Sequence, residues 1–250
     1  MATTIETIGA HPAPRSHRYY VAMAIGFIVL IVAAFSERYY WRLTGIEPAT
    51  RLVHAHAATF SAWFLLLFAQ TGLVAVNRRD LHRRLGLAGA ALVPLVLGTS
   101  VMTSVAAARA GWNPAGLPGG VQGFLVLGIV DTLLFAGFAT AAIRYRHRSE
   151  VHKRLIVLAS ASLLWAAVSR LPSATGFVVV PNPPPLAGLI ACFVLFAGLA
   201  LSGPTYDFCT GRRVSRLELC GGVLIVAGRP IARLIAGTDV WQAIGARLIS

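Results

Sequence analysis

Charge is what this sequence most lacks. Only 12% of its 250 residues are Asp, Glu, Lys or Arg, while 56% are hydrophobic. A water-soluble domain carries roughly a quarter charged residues, so a soluble enzyme is excluded. Mean hydropathy, +0.70, says the same. Lysine is almost missing: Lys153 stands alone, in a connection, so no span offers a Schiff-base amine and a retinal protein is excluded. The three cysteines, Cys192, Cys209 and Cys220, form no Cys-x-x-Cys pair and read as reduced and structural. No His-x3-His or His-x-x-His-His cluster of the di-iron membrane enzymes occurs, and no metal is expected. The first 18 residues lack a short apolar core with a small-residue cleavage site, so they do not read as a cleaved signal.

What is present is a series of long apolar runs. A bilayer core needs about 20 apolar helical residues. Seven segments qualify: 19–35, 52–76, 85–108, 121–143, 155–171, 186–201 and 217–236. The longest gap between them is 16 residues, so no connection folds as a separate domain. The expected fold is therefore an all-α polytopic membrane helix bundle of seven transmembrane helices. A tail (1–18) precedes the single bundle (19–236), and a C-terminal amphipathic tail (237–250) follows it. In the seventh segment Arg229 and Pro230 follow only ten charge-free residues, so a re-entrant or interfacial course is the alternative there.

The basic residues give the orientation, since Lys and Arg are retained on the cytoplasmic side. Fourteen flank the odd-numbered starts, including Arg78, Arg79, Arg83, Arg84, Arg144, Arg146, Arg148, Lys153 and Arg154; five lie on the other side. The N-terminus is expected in the cytoplasm. The formal charge of +13 then faces anionic lipid headgroups. Being scattered over separate loops, it forms no nucleic-acid surface. Arginine makes up 21 of the 22 basic residues, which suits a GC-rich bacterial genome and a location in the bacterial cytoplasmic (inner) membrane.

Shifting the chain by 70 residues aligns Asp80-Leu81-His82-Arg83-Arg84-Leu85 with Glu150-Val151-His152-Lys153-Arg154-Leu155, six successive matches by chemical type. An internal two-helix-hairpin repeat follows, about 52–108 and 121–171, related by an axis along the membrane normal. It sets His82 and His152 at one depth on two helices. That is the arrangement for one haem b, an imidazole on each face of the iron. The alternative is a pair of interfacial anchors, each beside an acid that complements a helix dipole.

Asp131 falls near the bilayer midplane, where a carboxylate is costly unless paired, protonated or wetted. By depth its partners are Arg229, from the seventh segment, and His56, from the second. His56 shares a helical face with Phe60, Trp63, Leu67 and Gln70. Asp131, Arg229, His56 and Gln70 therefore form a candidate polar intramembrane site, for a small solute or for proton handling. His54 and His56 share one ligand only if the chain is extended there, and the nearby loop adds only Glu37 and Glu47. The run 181–185, Pro-Asn-Pro-Pro-Pro, ends a loop, and Trp241, Ile244 and Leu248 space a surface-lying helix.

The His-x-His start with Trp63 and Gln70, Leu81-His82-Arg83-Arg84-Leu85-Gly86, His152-Lys153-Arg154-Leu155 and Arg233…Thr238…Trp241 together resemble a family of uncharacterised bacterial multi-pass membrane proteins. The resemblance spans about 51–241 and implies no activity. More distantly, the two histidine-led helix starts are similar to those of haem-b membrane proteins. The chain departs from the di-haem pattern, because His54 and His56 lie on one helix, so at most one haem fits. Three readings stay open: an accessory or structural membrane protein, a transporter or channel-like protein built on Asp131, and a haem-b redox protein exchanging electrons with a quinone.

Overall fold

The computed structural model describes residues 14–36, 50–112, 119–171 and 186–250. Among these it is helical throughout, without strands. The helices are α1 (Pro14–Phe35), α2 (Arg51–Ala75), α3 (Arg79–Arg109), α4 (Gly120–Arg144), α5 (Ser149–Ser162), α6 (Trp165–Val168), α7 (Leu186–Ala200), α8 (Ser202–Cys209), α9 (Arg216–Ala236) and α10 (Asp239–Ile249). Six of the described segments are long and apolar enough to cross a bilayer, α5 and α6 counting together; α7 with α8 makes a seventh if the bent pair is one span. The protein is a helical membrane bundle. The proline run 181–185 and the acids Glu37 and Glu47 lie outside the described residues.

Helix direction alternates, and contacts at the two ends show it. At the basic end Tyr19 of α1 stacks on Tyr206 of α8 at 4.3 Å, and Lys153 of α5 sits 5.0 Å over the Tyr20 ring. At the far end the Arg170 guanidinium lies over Phe35 and Trp112, and Trp112 meets Phe124 edge to face. Short turns join α2 to α3 and α4 to α5, and these two hairpins are among the most closely packed helix pairs, with α3 against α4 between them.

α5 is the central helix. Of its span 61% is buried, against 17% for each of α1, α2 and α3, whose outer faces are left to lipid. Its run Ala159-Ser160-Ala161-Ser162 is small enough for close backbone approach. It shares one hydrophobic core with Trp63 and Phe64 of α2, Phe135 of α4, Phe196 of α7 and Ile225 of α9. The Trp63 indole donates to the Ser160 hydroxyl at 3.1 Å, which lets a large polar-edged ring sit in the core. Ser160 and Ser162 return their hydroxyls to the carbonyls of Ile156 and Ala159. Such back-bonding bends helices, and α5 breaks just after them, whereas α3 runs unbroken through Pro94. The two hairpins are therefore alike at the basic end and unlike beyond it.

The sixth segment is bent by 62° between α7 and α8. Pro204, with no amide hydrogen for the Ala200 carbonyl, accounts for the break. The seventh segment, in contrast, is one continuous 21-residue helix that carries Pro230 inside it, so the re-entrant alternative is set aside. Gly221 and Gly222 let α9 approach: a Cβ on Gly222 would lie 2.6 Å from the Ala200 carbonyl oxygen. α10 turns back at Thr238, whose side chain caps Trp241 N. Trp241 then points inward, its indole donating to the Gln122 carbonyl at 2.8 Å. The exposed stripe is Val240, Ile244 and Leu248, so the apolar face begins one residue before the expected Trp241.

Candidate functional site

The basic ends of the hairpins bring two histidines together. His82, three residues into α3, and His152, three into α5, face each other with ring centroids 6.4 Å apart and planes at 82°. Their helices are not among the closely packed pairs, so the two side chains span the distance between α3 and α5. His152 Nδ1 bonds to the Ala142 carbonyl of α4 at 2.8 Å. A carbonyl only accepts, so this nitrogen carries the hydrogen and Nε2 is left with its lone pair. The corresponding His82 Nδ1 is buried without a hydrogen-bond partner, and so is Oε1 of Gln70. Gln70 belongs to this end: its Nε2 lies 3.7 Å from where a Cβ on Gly86 would be, one turn along α3 from His82.

Asp131 and Arg229 form an ion pair between α4 and α9. The Arg229 side chain is 6% exposed, and its guanidinium also lies 4.7 Å over the Trp165 ring and 5.7 Å from that of Phe196. One carboxylate and two aromatic faces thus satisfy a cation that the bilayer would otherwise reject. Gly228 lets α9 close on Leu134 and Val130 of α4 beside the pair.

His56 sits apart from this pair. Its ring lies 4.3 Å from Phe60, and its Nδ1 is buried without a partner. The four residues expected to form one polar site therefore divide among three places: Asp131 with Arg229, His56 at the far end of α2, and Gln70 at the basic end. The reason is depth. His56 and Gln70 share a rotational face of α2, but 14 residues separate them, about 21 Å along the axis. His54 and His56 both lie within α2, so the helical geometry turns them apart and they do not converge on one ligand. Among the described residues no group of three or more His, Cys, Asp or Glu is placed to hold a metal ion.

One charged cluster has no counterpart in the sequence reading. Arg154 of α5 bonds Asp207 of α8 at 2.8 Å and pairs with Glu218 of α9. The two acid side chains are 2% and 1% exposed. Asp207 also accepts the Ser215 amide at 3.2 Å, and Glu218 packs on Gly203 so tightly that no Cβ fits there. Tyr19 closes the cluster's rim by its 3.1 Å hydroxyl contact with Ser202. The sequence signal was the position of two of nine acids on the side where bases gather. Compared with known proteins, the chain matches no family model, no curated sequence and no solved structure.

Proposed function

We propose that this is a redox protein of the bacterial cytoplasmic membrane, holding one haem b between His82 and His152 with its basic end toward the cytoplasm. The spacing of the two imidazoles carries the reading. Metal–nitrogen bonds of about 2 Å on opposite faces of one iron put the ring centroids roughly 6 Å apart, and the observed separation is 6.4 Å. The donor set suits the group. His152 is held from behind by a backbone carbonyl, the outer-shell support that metal-bound histidines use. The other ring nitrogen of His82 faces the Gln70 backbone carbonyl, so the unpartnered Nδ1 is the one left to bind iron, and Gln70 Oε1 is a further unpartnered polar atom at the same end. Arg83, Arg84, Arg146 and Arg148 lie exposed in the adjoining first turns and connection, cations of the kind that haem propionates need.

A haem there would supply one-electron chemistry. The chain's own part is to fix the tautomer of His152, to hold both rings on helices that the tight α3–α4 contact keeps in register, and to exclude water by burial of α5. A membrane quinone is the electron partner that suits such a site. The basic connections face anionic headgroups. The closed Asp131–Arg229 pair supports a structural part for Asp131 more than a transport one, because each group already has its partner.

The test is a reduced-minus-oxidised absorption spectrum of the purified protein in detergent. The expected result is α and β bands at about one haem per chain. They disappear in His82→Ala and in His152→Ala and persist in His147→Ala. A colourless protein, prepared under conditions that retain haem in a control cytochrome, overturns the proposal.

A further inference from the structure

The far end of the α2–α3 hairpin has its own unsatisfied polar groups. Thr59 of α2 and Thr99 of α3 join hydroxyls at 3.0 Å. Antiparallel helices in that register place Thr103, one turn further along α3, opposite residues 55 and 56 of α2. Two polar atoms at this level are unpaired: His56 Nδ1 and Thr103 Oγ1 are buried without a hydrogen-bond partner. Thr103 is unusual among its neighbours. Thr99, Ser100 and Thr132 each return the hydroxyl to the carbonyl four residues back, the ordinary way for a hydroxyl to be satisfied in a membrane helix.

The surroundings narrow what these two groups would bind. The Phe60 ring forms an apolar wall 4.3 Å from the imidazole. The other ring nitrogen faces the Thr99 backbone carbonyl, which only accepts, so Nδ1 is left with its lone pair; Arg170, held over Phe35 and Trp112, is the charged group acting on the ring. A hydroxyl donor, a bare imidazole nitrogen and an aromatic wall are complementary to a protonated carboxyl group on an apolar body.

We propose that His56 and Thr103, at the far end of the α2–α3 hairpin, form a binding site for the carboxyl group of a small apolar acid that enters from the lipid. The proton balance is simple. The acid crosses the lipid neutral and keeps its proton, its O–H donating to the bare His56 Nδ1. The Thr103 hydroxyl donates to the carboxyl's carbonyl oxygen, and Phe60 covers the first methylenes. The site is separate from the histidine pair: His82 and Thr103 are 21 residues apart on α3, about 30 Å. It stands or falls without the haem.

Equilibrium dialysis of radiolabelled decanoate against the full-length protein in detergent tests this, with decanol as the neutral probe of equal chain length. The expected result is saturable decanoate binding near one per chain, with decanol taken up only in proportion to detergent. Thr103→Val, which keeps shape and removes only the donor, lowers decanoate affinity about tenfold. His56→Gln, which lacks the base, lowers it at least as far. Equal saturable binding of both probes would show apolar partition and overturn the proposal. So would decanoate binding indifferent to Thr103→Val, or no saturable binding, which would leave water as the occupant of the site. Any haem spectrum is expected to be the same in Thr103→Val and the unaltered chain, so failure here is distinguishable from failure at His82 and His152.

Discussion

Arg229 and Asp131, 98 residues apart in sequence, neutralise each other between α9 and α4 inside the span region. Breaking such a pair from one side leaves an uncompensated buried charge, a loss of about 3–5 kcal/mol. Asp131→Asn is therefore expected to lower the thermal unfolding midpoint sharply in detergent. Replacing both partners, Asp131→Leu with Arg229→Met, is expected to recover most of that loss, because no lone charge remains. A double-mutant cycle measures the difference. Additive single effects would show that the pair is not coupled.

The Arg154 cluster makes a stronger demand on one side chain. Its single guanidinium is shared by two carboxylates that are almost fully buried. Arg154→Met should destabilise the protein more than Asp131→Asn does, since it leaves two like charges facing each other. Adding Asp207→Asn and Glu218→Gln to that variant should restore a measurable unfolding transition. If Arg154→Met alone unfolds at the wild-type midpoint, the cluster contributes nothing to stability.

Trp63 fills core volume and donates one buried hydrogen bond, to Ser160. Trp63→Phe removes that donor while keeping an aromatic ring against Phe135. The expected loss is about 1–3 kcal/mol, the range for a hydrogen bond deleted in a dry interior. Ser160→Ala in the Trp63→Phe background should then cost little more, which chemical unfolding of the two variants would check.

α10 is held at the far end by the Trp241 indole on Gln122 and by the Gln242 amide on the Ala236 carbonyl. Trp241→Phe is expected to free this helix without unfolding the bundle. Limited proteolysis would then remove the last residues several-fold faster than in the unaltered chain, with an unchanged midpoint for the remainder. Equal cleavage rates would mean that lipid contact through Val240, Ile244 and Leu248 is what holds it.

The bundle was legible from the sequence because hydropathy reports span length directly, and 19–35, 52–76 and 121–143 fall within α1, α2 with its capping Val76, and α4. Breaks inside spans were harder. The α5 break falls just after two serine hydroxyls that bond backward, but Thr99 and Ser100 do the same in the unbroken α3, so composition does not reveal it. The common depth of His82 and His152 was readable from the matched motifs at 80–85 and 150–155, whereas the facing of their rings is seen only in the folded bundle. Gln70 was grouped with His56 because helical periodicity gives rotation but not height. The Arg154–Asp207–Glu218 cluster stayed hidden for a third reason. Arg154 stood in a row of headgroup arginines, and only packing against α8 and α9 distinguishes it from Arg148 or Arg146.

The position of Arg229, 98 residues after Asp131, also constrains how the protein is made. α9 emerges from synthesis after α4, so Asp131 must wait in the translocation machinery or the lipid until its cation arrives. The arginine, in turn, has a place in the bilayer only once α4, Trp165 and Phe196 are assembled around it. Insertion of the last span is thus conditional on the earlier ones being correctly folded.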